Sequence, residues 1–148
     1  MDDLKTKALT SAQWLDIRKT KLSCVFQGLR LFPELTALEN VIIKNRLTNH
    51  KSLSEIRSLF GQLGLEEKMD EKVARLSFGQ QQRVAIIRAL CQPFDFMLMD
   101  EPFSHLDKGN ISIVADIIIE ELLQRNAGLL LSTLGEEYPF DYQQRLEL

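Results

Sequence analysis

The sequence predicts an α/β protein: a parallel sheet whose strand succession is interrupted by a helical insert. Apolar runs of strand length recur near 21–26, 96–99 and 129–131. Between them lie segments whose apolar residues repeat at helical spacing. Strand, helices, strand, helix, strand is the succession from which parallel sheets are built. At 148 residues the chain is one domain at most, long enough for a real core. Its 45% hydrophobic and 26% charged content is that of an ordinary globular protein. A net charge of −3 offers no basic footprint for nucleic acid. Cys24 and Cys91 sit in apolar runs without metal-ligand spacing or a secretory leader, and read as buried reduced thiols of a cytosolic protein. No apolar stretch approaches membrane-spanning length.

Residues 1–20 are polar and mixed in charge, with a short helix over Ser11–Lys19 that Ser11 can cap. Lys21–Phe26 reads as a buried strand and ends in Gln27-Gly28. Thr36 followed three residues later by Glu39 has capping-box spacing, and the helix it starts carries Leu38, Val41, Ile42 and Ile43 to about Leu47. Lys51–Leu65 reads as a second helix, with Leu53, Ile56, Leu59, Phe60 and Leu63 on one side and Gly64 as its stop. Glu66–Arg75 is charged and reads as a solvated linker.

The stretch from Leu76 to Asp107 reads LSFGQQQRVAIIRALCQPFDFMLMDEPFSHLD. A Ser/Gly turn opens a helix at Gly79, with Val84, Ile87 and Cys91 on one stripe and Ile86 and Leu90 beside it. Pro93 stops that helix. Phe96–Met99 is an unbroken apolar run, as expected of a parallel strand covered on both faces. It delivers Asp100 and Glu101 to its carboxyl end, where open α/β sheets place ligands. Pro102 ends the strand because it has no N–H to give. Asn110–Arg125 follows as a helix with Ile111, Val114, Ile117, Ile118 and Leu122 toward the sheet, closed by Gly128. Leu129–Leu131 is another buried strand, and Gln143–Leu148 is read as a short terminal one.

LSFGQ, FMLMDE and SHLD resemble, in that order, the LSGGQ signature, the Walker B pattern and the D-loop of the ATP-binding cassette (ABC) ATPases. VFQGLRLFPELTALENV is similar to the family's Q-loop and the start of its helical subdomain, with Gln27 at the Q-loop glutamine. Singly, each has a plainer reading: a Ser-Gly helix start, a solvated Asp-Glu strand end, a polar Gln at a strand edge. Together, in order and at the family's spacing, they make the plainer readings improbable. The resemblance implies a partial P-loop NTPase fold of ABC type over 1–148. Its helical subdomain, at about 33–91, carries the signature, and the remainder is an incomplete RecA-like core.

The function implied is that of an ABC transporter ATP-binding subunit, coupling ATP binding and hydrolysis at a dimer interface to transport across a membrane. Asp100 would hold Mg²⁺, in keeping with an ion that retains its waters. Glu101 would act as general base or water-orienting group. Gln27 would reach the Mg²⁺ or the lytic water. Ser77, the Gly79 amide and Gln80 would face the ATP γ-phosphate held by the opposite subunit. Asp107 would lie at that interface. The partners implied are a second nucleotide-binding subunit, head to tail, and a transmembrane transporter subunit, with this chain cytoplasmic and peripheral at the inner face of the membrane. The insert has no room for the long coiled coil of SMC-like chromosome and repair ATPases, and suits a transporter-type cassette.

Two departures qualify that picture. The phosphate-cradling Walker A sequence, G-x-x-x-x-G-K followed by Ser or Thr, is absent, since none of the seven glycines precedes a lysine. Where the family usually reads Thr-His after the strand matching Leu129–Leu131, this sequence reads Thr133-Leu134. His50 and His105 read as surface or packing residues rather than substitutes. Phe78 replaces a flexible glycine of the signature. The chain by itself is therefore expected to bind ATP poorly. The phosphate-loop strand of the family fold would pair with Leu129–Thr133, which is expected to present an unpaired apolar edge. The reading favoured is the C-terminal part of a transporter ATPase. The alternatives are a non-catalytic module lending LSFGQ in trans to a competent subunit, and a non-transport ABC protein of translation or repair.

Overall fold

The computed structural model describes residues 9–144. The elements are α1 (Ser11–Thr20), β1 (Leu22–Val25), α2 (Ala37–Asn45), α3 (Leu53–Gln62), α4 (Phe78–Leu90), β2 (Phe96–Asp100), α5 (Lys108–Arg125) and β3 (Gly128–Ser132), with 3-10 turns at Glu66–Lys68 and Val73–Arg75. The strands form a three-stranded parallel sheet in the order β1-β2-β3. Leu22 pairs with Phe96 and Val25 with Met99; across the other side of β2, Phe96 pairs with Gly128 and Asp100 with Ser132. The α/β class and the helical insert are thus as the sequence predicts.

The burial of the strands differs from expectation. In the order β1-β2-β3 both crossovers advance in the same direction, and the right-handed rule for such connections places α4 and α5 on one face of the sheet, the face from which Ser23 bonds α4. Ser23, Val25, Met97 and Met99 point into that side and are buried, whereas Leu22, Cys24, Phe96, Leu98 and Leu130 alternate to the other side and are only partly covered. The apolar run in β2 is therefore fully buried on one face only, and Cys24 is half-buried rather than buried. The β3 edge follows the expectation: β3 pairs with β2 alone among the described residues, and Leu130 remains 62% exposed.

α4 is the centre of the core. Val84, Ala85, Ile86 and Ile87 are all buried, so successive residues cover every side of the helix. α2 and α3 of the insert pack against it, β1 lies along it, and Ser23 Oγ donates to the carbonyl of Ala89 at 2.7 Å.

Helix ends follow local chemistry, with several shifts from the sequence reading. Thr36 and Glu39 form the expected capping box, with the Glu39 amide donating to Thr36 Oγ at 3.1 Å and the Thr36 amide to Glu39 Oε2 at 2.8 Å. α1 is capped by Thr10 rather than Ser11, because Gln13 returns the bond that completes the box. α3 begins after Ser52, whose hydroxyl and Glu55 make a third such box, and its first residue, Leu53, faces the exposed side rather than the core. Gly64 does stop α3: its φ of +63° turns the chain so that the Leu65 amide reaches back to the carbonyl of Phe60 at 2.8 Å. At the end of α5 the left-handed residue is Asn126 (φ 51°), not Gly128. Gly128 is required instead by the neighbouring strand, where a Cβ would sit 2.8 Å from the ring of Phe96. Glu66–Arg75 is more than a linker, since Val73 is buried and Thr36 bridges Lys72. The terminal strand expected from Gln143 lies mostly outside the described residues, and Gln143 and Gln144 are not in a strand.

The insert is tied to the sheet-packing layer by a partly buried ionic trio. Lys51, just before α3, pairs with Glu121 of α5 at 2.6 Å, and Arg125 one turn further on pairs with the same carboxylate. The Arg125 guanidinium also donates to the carbonyl of Gln92 at 2.7 Å and lies over the Phe94 ring.

Cys91 closes α4 in complete burial, which pushes its thiol up from 9.0 to about 12. An unfolded thiol ionises near pH 8.5, so above that pH the unfolded chain holds fewer protons than the folded one and stability falls as pH rises toward about 12. Urea midpoints measured from about pH 8 to about pH 10.5 should fall more steeply for the native sequence than for Cys91→Ala. Parallel slopes would mean that Cys91 does not carry this dependence.

Candidate functional site

The residues singled out in the sequence fall into two groups. The first lies along the carboxyl ends of the strands. Because Val25 is opposite Met99, Gln27 and Glu101 each leave the sheet two residues beyond a paired position, on adjacent strands. Asp100 is the last residue of β2, and its Oδ1 accepts from Ser132 Oγ at 2.5 Å across the β2–β3 pair. Glu101 turns the chain sharply, with φ 49°, a left-handed conformation uncommon outside glycine. Four bonds hold that turn: the Glu101 amide donates to the carbonyl of Ser132 at 3.2 Å, and the Glu101 carbonyl accepts from Gln82 Nε2 at 3.1 Å, Ser104 Oγ at 3.2 Å and the Ser104 amide at 3.5 Å. No hydrogen bond or ion pair among the described residues engages the Glu101 carboxylate, Asp100 Oδ2 or the Gln27 side chain.

The second group surrounds the start of α4. Ser77 is its N-cap, and Gln80 completes a capping box by accepting from the Ser77 amide at 2.9 Å. The helix therefore begins at Phe78, one residue before the expected Gly79. Gln80 thus has its side-chain oxygen committed to the cap. The amides of Phe78 and Gly79 occupy the first two helical positions, where no intrahelical acceptor exists, and are oriented for an anion. Ser77, Phe78, Gly79, Arg83, His105, Leu106, Asp107 and Asn110 line one open cleft of about 370 Å³. Asp107 is the N-cap of α5; its carboxylate accepts from the Asn110 amide at 2.9 Å and Asn110 Nδ2 at 2.6 Å. The backbone bond from Asn110, then the side-chain bond, hold its carboxyl below the usual range.

Gln27, Asp100 and Glu101 do not line this cleft, so the two groups of residues are separate. Buried Gln82 joins them. Its Nε2 reaches the Glu101 carbonyl while its Oε1 accepts from the His105 amide at 3.3 Å. Sequence reading passed over Gln82, Arg83, Asn110 and Ser132; a glutamine in the buried stretch of α4 was the available signal for the first. His105 is exposed and packs its ring against Phe78, centroids 4.1 Å apart. Phe78 itself is 44% exposed at the mouth of the cleft.

The Q-loop has an unusual backbone. Leu29 (φ 53°) and Arg30 (φ 54°) are consecutive left-handed residues, and neither is glycine. Each such residue costs about 1–2 kcal/mol, so their surroundings must hold them there.

Gly79 is needed for the approach of α4 to the D-loop: a Cβ at this position would lie 2.8 Å from the His105 carbonyl oxygen. Gly79→Ala should destabilise the chain by about 1–3 kcal/mol in urea unfolding, because backbone must yield. Gly28→Ala, where a Cβ meets nothing within 4 Å, is the control and should be close to neutral.

Comparison with known proteins agrees with these motifs. A family model described as ABC transporter matches residues 2–104. The lipoprotein-releasing system ATP-binding protein LolD 2 of Rhodopseudomonas palustris is 32% identical over 97% of this chain and 63% of its own length. LolD of Buchnera aphidicola is 34% identical, over 88% of this chain and 58% of its own length. Among solved structures, a dimeric bacterial ABC transporter cassette, MJ0796, superposes with a TM-score of 0.77 at 28% identity, over 89% of this chain and 60% of that one. The same cassette in a post-hydrolysis state bound to ADP and Pi gives 0.75 at 31% identity over the same shares. The chain thus spans under two thirds of the length of these relatives.

Proposed function

The chain belongs to the ABC transporter family, and on that premise we propose that it is the signature- and Walker B-bearing part of a transporter ATP-binding subunit. In this reading it couples ATP binding and hydrolysis at a dimer interface to transport across a membrane. The observation that carries the proposal is the separation of the two half-sites. Strand ends bearing Gln27, Asp100 and Glu101 suit one nucleotide, and the α4 start bearing Ser77 and Gly79 suits another. A head-to-tail pair of subunits would bring one chain's acids opposite its partner's signature.

The free oxygens at the strand ends fit Mg²⁺, which takes hard oxygen donors and keeps several waters. Asp100, oriented by Ser132, and Gln27 are the residues that would hold it. Bound there, the ion would neutralise phosphate charge. Glu101 is fixed through its backbone while its carboxylate stays free to accept the proton of an attacking water. Across the interface, Ser77 and the Gly79 amide would donate to the γ-phosphate, with the dipole of α4 favouring negative charge. Gln80 contributes through the cap it makes with Ser77. Asp107, starting α5 beside the cleft, would stand at the subunit contact.

A membrane-spanning partner subunit completes the reading, with this chain at the cytoplasmic side. No helix among the described residues is long and apolar enough to cross a membrane. The relatives named for lipoprotein release make lipoprotein the cargo class to test first.

The deciding experiment pairs the mass of the native protein with its turnover. The expected result is a native chain longer than 17.0 kDa that includes the Walker A sequence and hydrolyses Mg-ATP. Glu101→Gln should then lower kcat by about 100-fold or more while ATP still binds. A native mass of 17.0 kDa without turnover would overturn the proposal. Turnover that needs this chain yet ignores Glu101→Gln would leave it lending LSFGQ to another subunit's site.

A further inference from the structure

Arg88 has no place in the site described above, yet its guanidinium is committed to two backbone carbonyls outside α4. It lies in the buried second half of α4, and burial holds its guanidinium below the ordinary range. No carboxylate pairs with it among the described residues. The Lys44 ammonium is near enough for Arg88 to disfavour its charge. A largely buried cation beside a like charge and without an acid is held at a cost. What it gains is two short bonds: Nη1 donates to the carbonyl of Arg30 at 2.6 Å and Nη2 to the carbonyl of Leu29 at 2.6 Å. These are the two consecutive left-handed residues of the Q-loop. No other group among the described residues donates to either carbonyl.

We propose that Arg88 is a positioning residue for Gln27: its guanidinium forks onto the Leu29 and Arg30 carbonyls and fixes the direction in which the glutamine loop leaves β1. That Gln27 serves the ATP site rests on the function proposed above; the clamp itself does not. Only arginine among the cations matches two neighbouring acceptors with one rigid fork. The buried Leu29 side chain pins the same turn from inside the core.

The test compares Arg88→Gln and Arg88→Lys with the native sequence. By hydrogen exchange, the Leu29 and Arg30 amides should exchange about tenfold faster or more in both variants. Met97–Met99 of β2 should keep the native rate. If Arg88→Gln does not fold, Arg88→Lys, which keeps the charge and most of the stem, is read in the same way. A rise at Leu29 and Arg30 no larger than that in β2 would overturn the proposal. In the native full-length protein, both variants should lower kcat by about tenfold or more with the KM for ATP within about twofold, as expected of misplacement rather than lost binding. Faster exchange with kcat unchanged would also overturn it, since Gln27 would then not depend on the clamp. Should the native protein itself show no turnover, the proposed function fails instead, and exchange at Leu29 and Arg30 alone decides whether Arg88 sets the loop.

Discussion

Everything in this domain depends on the burial of α4 from Gln82 to Leu90, where only Arg83 and Arg88 keep partial exposure. A helix covered on all sides can admit a polar side chain only if that side chain finds a partner. Four long polar residues of α4 meet the condition in the same way, by bonding backbone atoms of other segments. Gln81 takes the Val73 and Leu76 carbonyls just before the helix. Gln82 takes the Glu101 carbonyl after β2, Arg83 takes the Leu63 carbonyl at the end of α3, and Arg88 takes two carbonyls of the Q-loop after β1. Main-chain acceptors do not change when the side chains around them do. The signature helix thereby fixes the backbone of the segments that carry the functional groups.

The two half-sites follow from this arrangement. The strand ends are aligned by the parallel register, and the α4 start by Gly79 lying against the His105 carbonyl. Among the described residues, Gln82 is the one side chain that bonds both the Glu101 and the His105 backbone, so the acid pair and the D-loop share one buried amide as their common reference.

Much of this was legible in the sequence, for identifiable reasons. The capping box at Thr36 depends on residues three apart, and Gly64 terminates α3 through its own φ; such local chemistry survives in a linear reading. The parallel sheet was legible from apolar runs between helical segments. What was not legible is long-range. The half-covered face of β2 depends on which side both crossovers pass, and a run of four apolar residues looks the same with one face covered or two. Asn126 took the cap expected of Gly128 because asparagine tolerates the left-handed region, while Gly128 was claimed by the ring of Phe96 one strand away. The pairing of Arg88 with the Q-loop, and of Gln82 with Glu101 and His105, joins residues far apart in sequence and leaves no periodic trace.

The all-parallel register has a consequence for the order in which the chain assembles. β2 meets β3 after only α5 intervenes, whereas β1 meets β2 only after the whole insert and α4 have been traversed. Closing the longer loop costs about 0.6 kcal/mol more for each doubling of its length. The difference is small, but it favours β2–β3 as the first pair. The capped helices α2 and α3 need only local bonds and can form independently of it. On that order β1 would dock last, and the Q-loop turn would close onto an α4 already in place to receive it.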